Sequence, residues 1–286
     1  MQPFDLMNRL ERISSFDALI SQVQKFVRGL IQPQAVRDVL HGVPVGHPAH
    51  PPLVQVPIGL WLSAVVLDRI PGAEKGADAL VGLGVLSAVP AAASGLTDFS
   101  ELNPQQARVG TVHALSNSLG LVLFAGSLAA RRSGHRGLGR GLAMLGISSV
   151  GVGGVLGGHL SFAQSSGANH VSDMIDRAPG DWEQVGKFDA LPDGEPVSRM
   201  LGEVQVLVVR DGTTARVLAN RCSHQSGPLS DGELTGSGPD RCVVCPWHGS
   251  TFRLADGSVV HGPATAPQPA FDSRVRDGTL EARLRG

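Results

Sequence analysis

Four stretches in the middle of the chain are almost free of charge. The first, residues 53–70, is apolar apart from Gln55 and Pro57 near its start and Asp68-Arg69 near its end. Residues 79–97 carry no charge between Asp78 and Asp98, and residues 109–130 none between Arg108 and Arg131. The fourth opens at Gly141 and meets no charged residue until Asp173, its helical part ending near His159. A membrane-crossing helix needs about twenty mostly apolar residues. A soluble helix alternates an apolar with a charged face, and these runs have no charged face. The pattern therefore predicts four membrane helices within residues 47–162 and disfavours a soluble bundle. Gly151, Gly153, Gly154, Gly157 and Gly158 on the fourth suit tight contact with a neighbouring helix.

The flanks are patterned differently. Phe16, Leu19, Ile20, Val23, Phe26, Val27, Leu30 and Ile31 recur at three- and four-residue spacing with Ser, Gln and Lys25 between them. This is an amphipathic helix that lies on a bilayer or docks to a partner, within an N-terminal segment 1–46. Pro33 ends it, and residues 34–40 form another turn or two. Residues 163–180 read as a polar linker. From Trp182 on, alternating runs such as Val204–Val209 and Ala215–Ala219, punctuated by Asp-Gly pairs, signal an antiparallel β domain over residues 181–286. The expected fold class is multidomain: an all-α four-helix transmembrane bundle followed by a small all-β domain.

Composition narrows the function classes. A net charge of −1, with no basic, aromatic-interleaved stretch, argues against a nucleic-acid partner. Three cysteines in 286 residues exclude a disulfide scaffold. Glycine, at 37 residues, is about twice its usual share, as close helix packing in membranes favours.

Candidate chemistry lies in the β domain. Cys222-Ser223-His224 and Cys245-Pro246-Trp247-His248 read C-x-H and C-x-x-H, each beside turn-forming Gly and Pro. Zinc sites of two Cys and two His pair like with like. Here each loop supplies one sulfur and one nitrogen, which suits a [2Fe–2S] centre with one iron held by two Cys and the other by two His. The alternatives are a mononuclear zinc or iron site, and loop residues that only pack. Cys242 makes a C-x-x-C with Cys245, but Val243-Val244 mark it as a buried strand thiol.

The stretch NRCSHQSGPLSDGEL…CVVCPWHGSTF resembles the Rieske iron–sulfur domain over roughly the last hundred residues. The resemblance implies that Cys222 and Cys245 ligate a buried iron, and His224 and His248 an outer one. Respiratory members carry an extra Cys in each loop; here Gly227 or a neighbour and Trp247 stand there, so no such disulfide forms. Of the Ser and Tyr that donate to sulfur in that branch, the chain keeps Ser250 and has Phe252 at the Tyr position. Losing one donor implies a lower potential, nearer Rieske ferredoxins. Pro263–Pro269 resembles the proline loop that covers the cluster. Residues 40–165, through HPAHPPL at 47–53 and GLTDF at 95–99, resemble a bacterial four-helix membrane domain.

Four helices begin and end on one side. His47, His50, His113 and His159 should then share one membrane face with Asp98 and Glu101, where ionisable groups are costly and usually functional. Two of them, His113 and His159 first and His50 next, are candidates to hold haem b or a quinone head. The bland reading is interfacial loop histidines, and His41 and His135 read as ordinary loop residues. Arg69, Lys75, Arg131, Arg132, Arg136 and Arg140 at the short loops, against Arg37, Arg108 and Arg177 opposite, place the β domain outside an inner membrane. Arg131-Arg132 could also serve as an internal twin-arginine signal. The lack of a signal peptide and of a disulfide points the other way. The expected function is a membrane-anchored one-electron carrier serving a reductase, oxygenase or respiratory component, as a monomer or an oligomer. No catalytic residue is expected, since the 38 residues after His248 leave no room for an oxygenase domain. A catalytic membrane oxidoreductase and a redox sensor are the rivals.

Overall fold

A computed structural model describes residues 7 and 9–285. The start of the N-terminal segment (residues 1–6 and 8) and Gly286 lie outside the described residues. In chain order the longer helices are α1 Asp17–Leu30, α2 Gln34–His41, α3 His50–Leu67, α4 Glu74–Phe99, α5 Pro104–Arg132 and α6 Arg136–Phe162. The short α7 Ser172–Arg177 precedes ten strands: β1 Glu183–Lys187, β2 Pro196–Leu201, β3 Val204–Asp211, β4 Thr214–Ala219, β5 Glu233–Thr235, β6 Cys242–Val244, β7 Thr251–Arg253, β8 Val259–His261, β9 Ala270–Arg276 and β10 Thr279–Leu284. The chain forms two compact units, one of Met1–Gln32 with Ala49–Ser166, the other of Pro33–Pro48 with Gly167–Gly286.

In the helical unit, α3 to α6 are each long and apolar enough to cross a membrane. α4 to α6 extend past the uncharged runs that announce them, because helix ends admit polar caps, whereas α3 starts three residues before its run 53–70 and stops at Leu67, with Asp68 as its C-cap. At the head of α5 the Asn103 side chain accepts from the Gln106 N–H while the Gln106 side chain accepts from the Asn103 N–H, with Pro104 in the first turn. Trp61 of α3 stacks on Phe124 of α5, ring centres 4.2 Å apart, in a core with Val81 and Val150. Of the five glycines singled out above on α6, Gly153 and Gly157 face a neighbour closely, beside Asn117 and His113; Gly151 and Gly154 face open space.

At the short-loop end Arg131 is buried. It donates to both carboxylate oxygens of Asp68 and to Asp78, which also pairs with Arg136 at 2.6 Å. An arginine enclosed at a helix end is not displayed as half of a twin-arginine signal. Helix α1 has two apolar stripes. Ile20 packs against Phe99 and Ala107, and Gln24 donates to the carbonyls of Phe99 and Leu102. Leu19, Val23, Phe26 and Leu30 remain exposed.

The second unit holds an antiparallel six-stranded sheet in the order β1-β10-β9-β4-β3-β2 and a four-stranded sheet β5-β6-β7-β8. The apolar run of β3 serves two cores, because successive side chains leave opposite faces of a strand. Val206 and Val208 pack with Phe271 and Leu280; Leu207 and Val209 pack with Cys222, Cys245 and Phe252. Residues 163–180 differ from a plain linker: Val171 and Met174 are buried in the first of these cores. The segment 33–48 likewise groups with the β-rich unit, although helical-unit residues flank it on both sides in the chain.

Candidate metal centre

The two motif loops close in the same way. Cys222 N–H donates to Gly227 O and Cys245 N–H to Ser250 O, both 2.8 Å; Ser226 N–H returns to Cys222 O and Gly249 N–H to Cys245 O. The fifth residue of each loop has a left-handed backbone, Ser226 at φ 64° and Gly249 at φ 76°, which Gly adopts without strain. The first loop joins β4 to β5 and the second joins β6 to β7, so each is anchored by strands at both ends.

This construction gathers the donors in pairs. Cys222 and Cys245 are buried and hydrogen-bonded to each other through sulfur. His224 and His248 stand with ring centres 5.0 Å apart and planes at 89°. Hydrogen bonding from Cys222, with further donation from the backbone N–H groups of Trp247 and His248, holds the Cys245 thiol down to about 7 despite burial. The Cys222 thiol is pushed up by the same bond and by burial. Burial first, then the imidazoles of His248, His41 and His170, push His224 down to about 3, leaving it a neutral ring with a lone pair. Two sulfurs sharing a proton beside two imidazoles fit a binuclear iron–sulfur group in donor type and pairing. Among the described residues no three His, Cys, Asp or Glu side chains gather about one ion position, as a mononuclear site needs.

The surroundings are close-fitting. A Cβ on Gly227 would lie 2.8 Å from Cys245 Sγ and 3.1 Å from the Trp247 ring, so Gly227 and Trp247 face one another where a disulfide was excluded. All three cysteines are free thiols. Ser250 is fully buried and its Oγ accepts from Ala264 N–H at 3.0 Å, while Ser223 Oγ donates to Ala266 O at 2.7 Å. Both motif loops are thus bonded to the loop carrying Pro263 and Pro267. Phe252 is fully buried in the core that contains Cys222 and Cys245. Cys242 lies in β6, its Sγ 3.2 Å from Asp240 O.

Four neighbours were not read as site residues. His41 ends α2 and is buried rather than an ordinary loop residue. His170 N–H donates to Ser223 O at 3.0 Å. His261 is half exposed, and its Nδ1 lies 2.9 Å from Asp38 Oδ2. Asp38, buried, also accepts from Gly262 N–H and Gln34 Nε2, each at 2.9 Å. These bonds outweigh burial and hold its carboxyl below the usual range. His41, His170 and His261 carried a signal only as additional imidazoles; Asp38 meets its partners 223 and 224 residues along the chain.

The four membrane-face histidines do not converge. His50 and His113 come together in the helical unit, ring centres 6.2 Å apart. Their Nδ1 atoms lie 3.0 Å from Ala91 O and 2.7 Å from Gly153 O, and Asn117 Nδ2 is 3.3 Å from His113 Nε2. His159 instead meets Glu11, Nε2 to Oε1 at 2.6 Å, in an open pocket of about 260 Å³ with Asn103, Gln106 and Gln164. His47 is exposed and groups with the β-rich unit. The pair within reach is therefore His50 and His113, not His113 and His159.

Comparison with known proteins matches residues 181–272 to the Rieske [2Fe-2S] domain and residues 46–169 to the family described as "Predicted membrane protein (DUF2231)". The chain is 28% identical over 111 residues to the anthranilate 1,2-dioxygenase ferredoxin subunit of Burkholderia cepacia, covering 39% of this chain and 99% of that one. It is 30% identical over 110 residues to Ferredoxin CarAc of Metapseudomonas resinovorans, covering 38% and 87%. With the oxygenase component of chloroacetanilide N-alkylformylase from Rhizorhabdus wittichii it shares 36% over 102 residues, 33% of this chain but only 28% of that one.

Proposed function

We propose, because the chain belongs to the Rieske [2Fe-2S] family, that it is a membrane-held one-electron carrier whose Cys222, Cys245, His224 and His248 ligate one [2Fe–2S] cluster. The observation that carries this reading is the pair of equivalent loops, each offering one sulfur and one imidazole. The cluster, when bound, supplies a one-electron couple set by cluster charge, hydrogen bonds to sulfur and exposure. The chain's own residues do the rest. Backbone N–H groups after each cysteine stabilise the thiolates, burial keeps His224 neutral, and Phe252 excludes water from the sulfur side. Coverage of nearly whole ferredoxins, against 28% of an oxygenase component, favours a carrier over a complete enzyme. Its partners are a reductase as donor and an oxygenase or respiratory component as acceptor. The excess of Arg and Lys at the short loops favours an extracytoplasmic redox domain.

Electron paramagnetic resonance of dithionite-reduced membranes containing the chain tests the assignment. A Rieske-type signal is expected, absent in Cys245→Ala and intact in Cys242→Ala. His248→Cys should lower the midpoint potential and remove the pH dependence of that imidazole. A Rieske signal surviving in Cys245→Ala overturns the ligand set.

One observation favours a second reading, a catalytic oxidoreductase with a haem in the helical unit. Each of His50 and His113 has its Nδ1 against a carbonyl, which fixes the tautomer and leaves Nε2 with a lone pair. The two rings stand with centres 6.2 Å apart, so this pair would hold a haem if one is bound in the helical unit. The reduced pyridine haemochrome spectrum of the purified chain decides: haem near one per chain is expected, lost in His113→Ala. A haem-free chain removes this reading and leaves the carrier untouched.

A further inference from the structure

The segment between α1 and α3 is the feature the carrier reading leaves unused. It enters at Pro33, forms α2, closes on Gly42 at φ 95°, and leaves at Pro48. A bare connection would keep its carboxylate in water, because burying a charge is costly unless it is paired and hydrogen-bonded. Asp38 is instead 8% exposed and takes three donors: Gln34 Nε2 from its own helix, and Gly262 N–H and His261 Nδ1 from β8 and its exit. The fit is steric as well. A Cβ on Gly262 would stand 3.0 Å from Val43 Cγ2 and 3.4 Å from His41 Cδ2, so the glycine lets the segment lie close.

Gly262 opens the loop that both motif loops hold. Two residues on, Ala264 N–H donates to Ser250 Oγ, and Ser250 O accepts from Cys245 N–H; Ala266 O accepts from Ser223 Oγ, next to Cys222. Asp38 thus grips one end of a strap whose middle is bonded to the neighbours of both cysteines.

We infer that residues 33–48 are a working part of the redox domain, in which Asp38 is a positioning residue that sets the 261–268 strap against the cluster loops and tunes the cluster's potential. The inference rests on the presence of the cluster proposed above. Its physical basis is that outer hydrogen bonds, nearby charge and exclusion of solvent govern the potential of an iron–sulfur group.

The test uses the full chain in membranes, reading the midpoint potential and the resonance line shape. Asp38→Asn keeps an acceptor for Gly262 N–H and deletes the charge; the potential should rise with the line shape unchanged. Asp38→Ala should raise it further and broaden the signal. Gly262→Ala should shift the potential by displacing the segment, and Val43→Ala in the same chain should restore it, since it removes the clashing methyl. This pair decides the matter if Asp38→Ala fails to fold. Asp272→Asn, which removes a surface partner of Arg283 and Arg285, serves as the charge control and should match the parent. Wild-type potential and line shape in both Asp38→Ala and Gly262→Ala overturn the inference. Absence of any Rieske signal in the parent chain sinks the function itself instead.

Discussion

Gly227 is where a single methyl group decides the most. Its Cα faces Cys245 across the gap between the loops, and an added Cβ would come within 2.8 Å of the sulfur. The Cys245 sulfur is buried there, so the methyl has little room to be relieved on that side. Gly227→Ala should therefore leave the six-stranded sheet intact and lower cluster occupancy. The expected readout is iron per chain falling well below the parent value with an unchanged β-type circular dichroism of the soluble part. Full iron content in Gly227→Ala would mean that the loops separate easily. The two Cys and two His of the motif loops are legible in the sequence as candidates, because metal chemistry demands particular residue types at short, local spacing. Gly227 is half legible, as a turn residue whose close approach to the other loop depends on the fold. Asp38 is not legible at all, since an aspartate in an amphipathic helix reads as solvated until its partners more than 220 residues away are in place.

The long elements were the easiest to read, because an uncharged run of twenty residues has few alternatives to a helix in a membrane. What the pattern concealed is which polar residues go inside. Arg131 counts in the sequence as one more loop cation, yet its guanidinium is enclosed, bidentate on Asp68 and shared with Asp78. These bonds connect the end of α5 with the ends of α3 and α4. Removing one partner of a buried pair strands the other charge and costs about 3–5 kcal/mol, whereas replacing the pair by apolar residues of similar volume is often neutral. Arg131→Ala should accordingly lower the detergent-solubilised bundle's melting temperature strongly. Arg131→Met combined with Asp68→Leu should recover most of the loss. Equal melting of the single and double variants would show that Asp68 is solvated in the bilayer-bound protein. The exposed stripe Leu19, Val23, Phe26 and Leu30 was also only half readable: the spacing announces an apolar face, while the structure shows that a second stripe through Ile20 does the docking.

At the scale of the whole molecule, the number of crossings governs where electrons can be delivered. With four spans, the loops at 68–73 and 133–135 share one side of the membrane, and the segments before α3, between α4 and α5, and after α6 share the other. The proposed arrangement has the first set in the cytoplasm, by the positive-inside rule, which counts Lys and Arg whether or not they are paired. The ion pairing of Arg131, Arg136 and Arg140 therefore does not weaken it. Single cysteines at His47, Ala163 and His135, all exposed positions, can report this in a Cys242→Ala background with an impermeant thiol reagent on intact cells. Positions 47 and 163 should label from outside, and 135 only after the membrane is opened. Reversed labelling keeps the four spans and moves the redox domain to the cytoplasm, where soluble reductases and oxygenases become its accessible partners. Labelling of 135 and 163 from the same side means that α6 does not cross. The odd number of crossings that remains would then place the segment before α3 and the segment after α6 on opposite faces. Residues 33–48 and 167–286 form one unit and cannot be divided by a bilayer, so that result would contradict the grouping itself.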